Sequence, residues 1–430
     1  MADKIMLFAI PGFFILMALE LLAAWIMRRR VYRLNDAINS IGLGVLSQIV
    51  GVFTKLLTIG IYAWVVQRVA LFELPVESVW VWISALILYD FCYYWLHRMG
   101  HEVNVLWAAH VVHHQSERYN LSTALRQTGS GALLGWVFYL PMALLGYPVE
   151  VFAVVAVIDL LYQYWIHTEL VGKLGWFDRV FASPSNHRAH HAVNDRYLDR
   201  NYGGIFILWD RMFGTFVEED DNDKPVYGTR APLRSWNPLW ANVEVYWAMA
   251  KDAWHAKRWR DKLRVWFARP GWRPVDVAER FPKSDFDQRR EEYDPPVSRL
   301  MAAYCLVQFV LLLGLGVQFL QTAMRMPGMG VVVYLVFLIG TLVLLGALLE
   351  GRRLAPWFEA ARLLLLGVLP VLTGLWLDGS ALPVTLRMVC AGVSAVSFVV
   401  LLVAWRGGRA QAADDGAAAV GVPPSTMARD

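Results

Sequence analysis

Nine of the ten histidines fall between residues 97 and 191. They come as His97 and His101, then His110, His113 and His114, then His167 alone, then His187, His190 and His191. On a helix, positions i, i+3 and i+4 share one face, so the pair and each His-x-x-His-His triplet can aim imidazoles at a common point. Each group is a partial metal shell. So many imidazoles exceed the four ligands of a structural zinc site, and two metal ions fit the number better. Imidazole suits iron, copper, nickel and zinc alike, so ligand type alone does not choose the metal. Haem ligation would use one or two histidines, and a metal transporter would set ionisable groups in the middle of its spans. Those two non-enzymatic classes are the distant alternatives. His255, alone in a Trp-rich basic stretch, reads as an interfacial residue and not a ligand. Cys92, Cys305 and Cys390 lie in apolar stretches with no pairing pattern and read as small core hydrophobes.

The elements that must position these groups are membrane helices. The chain has 430 residues and is 57% apolar, too apolar for a soluble protein of this size. A net charge of +4 argues against a nucleic-acid binder. Runs long enough to cross about 30 Å of hydrocarbon occur at 5–27, 41–72, 78–96, 300–320, 330–349, 357–377 and 384–405. Shorter runs at 131–146 and 148–166, parted by Gly146, Tyr147 and Pro148, read as a tight helical hairpin. The first run, ended by Arg28, Arg29 and Arg30, reads as a retained anchor. Placing Arg28–Arg33, Arg98, the stretch 173–299, Arg352, Arg353, Arg406 and Arg409 in the cytoplasm gives nine crossings with the N-terminus outside. The expected fold is an all-α integral membrane protein of about nine transmembrane helices with a histidine-rich helical catalytic domain on the cytoplasmic face. His97 and His101 stand where one span exits, and His167 where the hairpin returns.

The one large polar portion covers residues 167–299. Within it Trp240, Trp247 and Trp254 recur every seven residues, with Val243 nearby, before Lys257, Arg258, Arg260, Lys262 and Arg264. Such a helix either lies on an anionic membrane face or packs its tryptophans on the protein's own domain. The Gly203-Gly204 pair suggests a tight turn that brings Tyr202 and Asp210 back toward the histidines. The expected organisation is 1–75 N-terminal membrane region, 76–220 catalytic domain, 221–299 basic Trp-rich region, 300–406 four C-terminal spans and 407–430 a disordered tail.

At the histidines the chain resembles the fatty acid hydroxylase and sterol desaturase superfamily, whose pattern is His-x3-His followed by two His-x2-His-His boxes. The stretch from Asp90 through His97, His101, Glu102 and Asn104, and on through Trp107, His110, His113, His114 and Glu117 to Arg126 and Gln127, looks most like the alkylglycerol monooxygenase branch and its bacterial relatives. So does Pro184 through His187, His190 and His191 to Asn201, Asp210 and Phe216. The specific likeness spans roughly 40–220, and the later spans agree only in layout.

That resemblance implies two iron ions on the motif histidines, O2 as co-substrate and hydroxylation of a lipid C–H bond. The branch implies tetrahydrobiopterin as reductant, attack beside an ether oxygen, and a bacterial inner membrane. It also makes Glu102 the first candidate for a catalytic carboxylate, serving the metals or the pterin. Glu117, Asp159, Glu169, Asp199 and Asp210 are candidates to orient imidazole N–H groups. Gln163 departs from the pattern, standing four residues before His167 where some superfamily members carry a histidine, so the ligands number nine or fewer. A rival reading is a hydroxylase or desaturase of a fatty acyl, sterol-like or amino-acid-containing lipid served by an electron-carrier protein. No pterin-binding motif and no oligomeric state can be read from the residues.

Overall fold

The computed structural model describes residues 2–289 and 291–419, with the side chains of all but 2–8, 55 and 408–419. The described residues form helices and loops with only isolated β-bridges. They divide into two compact units, Met1–Arg234 with Leu239–Tyr293, and Ser235–Pro238 with Asp294–Asp430.

The first unit opens with three long helices, α1 (Ala2–Ile26), α2 (Leu34–Val69) and α3 (Val79–Glu102), followed at once by α4 (Asn104–His114). Short helices α5 (Leu121–Ala124), α6 (Gly131–Gly135) and α7 (Leu140–Leu144) lead to α8 (Val149–Trp165). Then come α9 (Pro184–His191), α10 (Leu208–Phe213), α11 (Pro238–His255), α12 (Trp259–Phe267) and α13 (Val275–Arg280). The second unit holds α14 (Arg299–Thr322), α15 (Gly328–Leu349), α16 (Ala355–Thr373) and α17 (Val384–Ala419).

Among the described residues, seven helices are long and apolar enough to cross a membrane, and they correspond to seven of the nine expected crossings. Residues 41–69 of the expected run 41–72 lie in one unbroken helix, α2, which ends at Val69. The other two crossings differ. The arm at 131–146 is broken into α6, a 3-10 turn at Trp136–Tyr139 and α7, because Gly131, Gly135 and Pro141 interrupt it. The returning arm, α8, has 17 residues. Between the arms Gly146 adopts φ 88°, where a Cβ would also strike the Phe72 carbonyl, so this turn requires glycine. Helix α17 continues past Gly407, where disorder is expected, to Ala419, in keeping with the high helix propensity of its alanines. Residues 420–430 of the expected tail lie outside the described residues.

Helix α3 positions the site. Val81, Ala85, Tyr89 and Cys92 recur along one face and pack with Tyr62 of α2, Met142 and Ala143 of α7, and Val151 and Val155 of α8. Farther along α3, His97 and His101 follow on its last turns. In the second unit, Glu359 of α16 is fully buried, paired with Arg362 and hydrogen-bonded by the Tyr304 hydroxyl. Arg362 also donates to Gln308, which donates to Ser397 of α17.

Candidate metal centre

Four elements bring the nine histidines together in two groups. One contains His97, His101, His110, His114 and His190, the other His113, His167, His187 and His191, and within each group the ligand atoms lie within 4.8 Å of one another. Each His-x-x-His-His triplet divides in the same way. On α4 the i and i+4 members, His110 and His114, join the first group and His113 joins the second. On α9, His187 and His191 join the second and His190 joins the first. A helix turns about 100° per residue, so i and i+4 lie about 40° apart while i+3 lies on the other flank. Two adjacent metal positions thus follow from the spacing once α4 and α9 face each other.

Local sequence fixes these elements. α9 starts at Ser183, whose hydroxyl accepts from the Asn186 N–H, with Pro184 in the first turn where its missing donor is harmless. His167 stands just past the end of α8 and donates Nδ1–H to the Gln163 carbonyl at 2.7 Å.

The tautomers follow from the neighbours. Nδ1 of His97 donates to the Tyr202 carbonyl (2.8 Å), that of His113 to Arg126 (2.9 Å), and that of His190 to Arg200 (2.8 Å). Each such bond leaves Nε2 bare and directed inward, as a ligand must be. The Nε2 atoms of His97, His101 and His190 are buried without a hydrogen-bond partner. Nε2 of His113 and Nε2 of His167 face each other at 3.2 Å, although neither carries a proton. Two lone pairs so placed repel unless a cation lies between them. Nitrogens bound at about 2.1 Å and at right angles on one ion lie about 3.0 Å apart. The separations His167–His187 (3.0 Å), His110–His114 (3.1 Å) and His187–His191 (3.2 Å) match that figure. The residues therefore fit metal ions. Burial and the neighbouring imidazoles push His110, His114, His187, His190 and His191 well below the usual histidine range, and burial brings His113 down to about 4. All are thus held in the neutral form that metal binding needs.

The carboxylates divide between those that touch the site and those that brace its surroundings. Asp199 lies 3.4 Å from His101 Nδ1 through Oδ1. Asp210 accepts from the Tyr202 and Gly203 N–H groups (2.8 and 2.7 Å) and from the Thr215 hydroxyl (2.6 Å), so it holds the loop whose carbonyl orients His97. Burial pushes its carboxyl up to about 6 against those three bonds. The expected return of Tyr202 and Asp210 is present, but the glycines serve close approach and not an unusual φ. A Cβ on Gly204 would fall 2.7 Å from Asp90 and 2.9 Å from Asp159. Asp159 accepts from Gln163 (2.6 Å), whose side-chain oxygen accepts from Tyr93, so the glutamine in place of a histidine binds neighbours beside His167. Glu102 accepts from Arg98 at 3.0 Å, Glu169 pairs with Arg29 at 3.2 Å, and Glu117 accepts from the Tyr293 N–H.

Sequence reading missed several supports. Asp90 accepts from the Ile205 and Phe206 N–H groups and from the Trp209 indole. Glu20 of α1 accepts from Tyr32, Thr168 and the Leu121 N–H, tying the first span to the turn after His167. Arg126 is buried, donating to the Val112 carbonyl and to Asn39. The available signal was an ionisable residue within an apolar run, as at Asp90 and Glu20. An apolar cavity of about 240 Å³, lined by Tyr62, Leu96, Gly135, Tyr139 and Phe152 among others, opens beside the residue that precedes His97.

Residues 82–215, which hold all nine histidines, match the family model for fatty acid hydroxylase. The chain is 38% identical to an alkylglycerol monooxygenase of Homo sapiens over 362 residues, covering 83% of this chain and 80% of that protein. It is 37% identical to one of Danio rerio over 368 residues, covering 84% and 81%. A shorter likeness, 29% over 139 residues, is to ornithine lipid hydroxylase OlsE of Rhizobium tropici, covering 31% of this chain and 41% of that protein. No solved structure matches.

Proposed function

The chain belongs to the fatty acid hydroxylase family, alongside the alkylglycerol monooxygenases, and on that membership and its nine converging imidazoles we propose a membrane di-iron monooxygenase that hydroxylates an ether lipid beside the ether oxygen. The observation that carries the metal reading is the pair of bare Nε2 atoms of His113 and His167 at 3.2 Å. The five-histidine group would hold one iron and the four-histidine group the other. Bound iron supplies redox activation of O2 for insertion into a C–H bond, which zinc cannot supply.

The chain's own residues do the rest. Backbone carbonyls of Tyr202, Arg126, Gln163 and Arg200 fix the imidazoles before metal arrives. Burial of the histidines excludes water that would divert a reactive oxidant. The apolar cavity beside Leu96 is suited to an alkyl chain entering from the bilayer. Glu102, one residue past His101 and joined to Arg98, is the carboxylate we assign to a polar reductant of the tetrahydrobiopterin class. In the overall reaction one oxygen atom enters the C–H bond and the other leaves as water, with two electrons and two protons from that reductant. The resulting hemiacetal breaks down to an aldehyde and a glycerol derivative. The placement of Lys and Arg supports a site facing the cytoplasm.

A second reading is favoured by the likeness to ornithine lipid hydroxylase, namely hydroxylation of an amino-acid-containing lipid with an electron-carrier protein. The deciding experiment is aldehyde release from a long-chain alkylglycerol by iron-loaded protein with O2 and tetrahydrobiopterin, beside His113→Ala. Aldehyde from the wild type alone supports the ether-lipid reading. No aldehyde from protein holding about two irons, the number of the di-iron precedent, favours another lipid. Failure to hold iron would overturn both readings.

A further inference from the structure

Helices α11 and α12 carry an apolar stripe on their outer faces. On α11, Val243, Trp247 and Trp254 are exposed along one side, and on α12 Trp259, Leu263 and Phe267 follow at four-residue steps. Trp254 is 81% exposed, Trp259 79%, Phe267 69% and Leu263 65%. The opposite faces are packed, with Met249 of α11 and Val265 of α12 buried against Ala108 of α4. A contiguous set of large apolar side chains this open marks an interaction surface and not the scatter of a soluble face. Neither helix is among the seven candidate spans.

Two further observations choose the partner. The first is depth. Asn104, two residues beyond the end of the spanning helix α3, donates its side-chain amide to the Val265 carbonyl at 2.8 Å and its backbone N–H to the Ala268 carbonyl at 2.9 Å. The C-terminal end of α12 is thereby fixed where a span leaves the hydrocarbon. The second is charge. Lys251, Lys257, Arg258, Arg260, Arg264 and Arg269 are exposed around the stripe. Of the acids on these helices, Asp252 is held by Arg273 through two bonds, and Glu244 and Asp261 are partly buried.

Tryptophan, leucine and phenylalanine with a rim of cations is the composition of a helix lying in the headgroup region of an acidic leaflet. We propose that helices α11 and α12 form a lipid-contact surface of this kind, seated in the interface and binding anionic phospholipid. The expected heptad of tryptophans thus presents its later members to lipid and does not fold them onto the protein's own domain. Because α12 holds Asn104 at the head of α4, the lipid seat also sets the height of His110, His113 and His114 relative to the bilayer.

The test uses full-length protein with Leu263→Cys in a Cys390→Ser background, labelled with a fluorophore and placed in phosphatidylcholine nanodiscs. A small fraction of either phosphatidylglycerol or phosphatidylcholine carries a nitroxide at the same acyl position. Quenching by both lipids is expected, with about threefold or greater preference for phosphatidylglycerol, in line with the attraction of each near-surface cation. Lys257→Glu with Arg260→Glu should abolish that preference. Equal quenching by the two lipids in the parent would overturn the acidic-lipid assignment. A label reached by aqueous iodide but by neither lipid, or shielded from all three by a second copy or other protein, would overturn the membrane seat itself. None of these readings depends on which lipid the enzyme oxidises.

Discussion

His110, His113, His114, His187, His190 and His191 are neutral because burial makes their protonation costly, and this gives the metal-free protein a defined response to acid. Burial keeps these histidines below the ordinary value of 6.5, with His113 near 4. Between those two values the unfolded chain binds protons that the folded chain cannot, so stability present above about pH 6.5 is lost as the pH falls through 4. Thermal unfolding of metal-stripped protein in detergent should show a steady fall in Tm from pH 7 to pH 4.5, and iron loading should delay it. A flat profile would mean that the imidazoles are hydrated. Asp210 allows a more local experiment. Asp210→Ala removes the acceptor of the Tyr202 and Gly203 N–H groups and so releases the carbonyl that orients His97. Unsatisfied buried donors cost about 1–3 kcal/mol each. Iron analysis should find the five-histidine group depleted and the four-histidine group retained, and equal loss from both would reject this local role.

At the scale of elements, the site depends on how closely the 201–206 loop approaches α3 and α8. Gly204 lies against Asp90, Tyr93 and Asp159, and an added methyl would meet all three under 3 Å. Gly204→Ala should therefore cost about 1–3 kcal/mol by overpacking and lower iron occupancy, measured by thermal unfolding and metal analysis of purified protein. Unchanged stability would show that the loop can withdraw without loss. The same approach explains why a Gly-Gly pair that looks like a turn signal has no left-handed residue among its glycines. The left-handed residues nearby are Asp199 (φ 56°) and Asn201 (φ 58°), types that tolerate that region better than most.

At the scale of the whole molecule, the second unit contains a charge pair inside its helical bundle. Glu359 is fully buried, held by Arg362 and the Tyr304 hydroxyl. Glu359→Gln leaves a buried guanidinium without its counter-charge, a loss of about 3–5 kcal/mol. Glu359→Gln combined with Arg362→Met should recover much of that loss, because an apolar substitute needs no partner. Resistance to unfolding in detergent measures both variants, and a double variant no more stable than the single one would contradict the argument.

Spacing alone made the histidine groups legible, because i, i+3 and i+4 neighbours on a helix share a face whatever the rest of the fold does. Apolar run length likewise identified seven helices long enough to span, since the bilayer fixes the length a span needs. The division of the histidines into sets of five and four depended on how α3, α4, α8 and α9 meet, and that is a property of packing between segments distant in sequence. Nor could spacing reveal that the Nδ1 acceptors are carbonyls, since every residue has a carbonyl and only the fold chooses which one faces the ring. Glu102 stood first among the acids beside the motifs and Glu117 stood level with Asp199 and Asp210, yet the Glu102 and Glu117 carboxylates accept from Arg98 and the Tyr293 N–H. Adjacency in sequence sets distance along the chain, while the direction of a side chain is decided by the element that carries it and the surface against which that element packs.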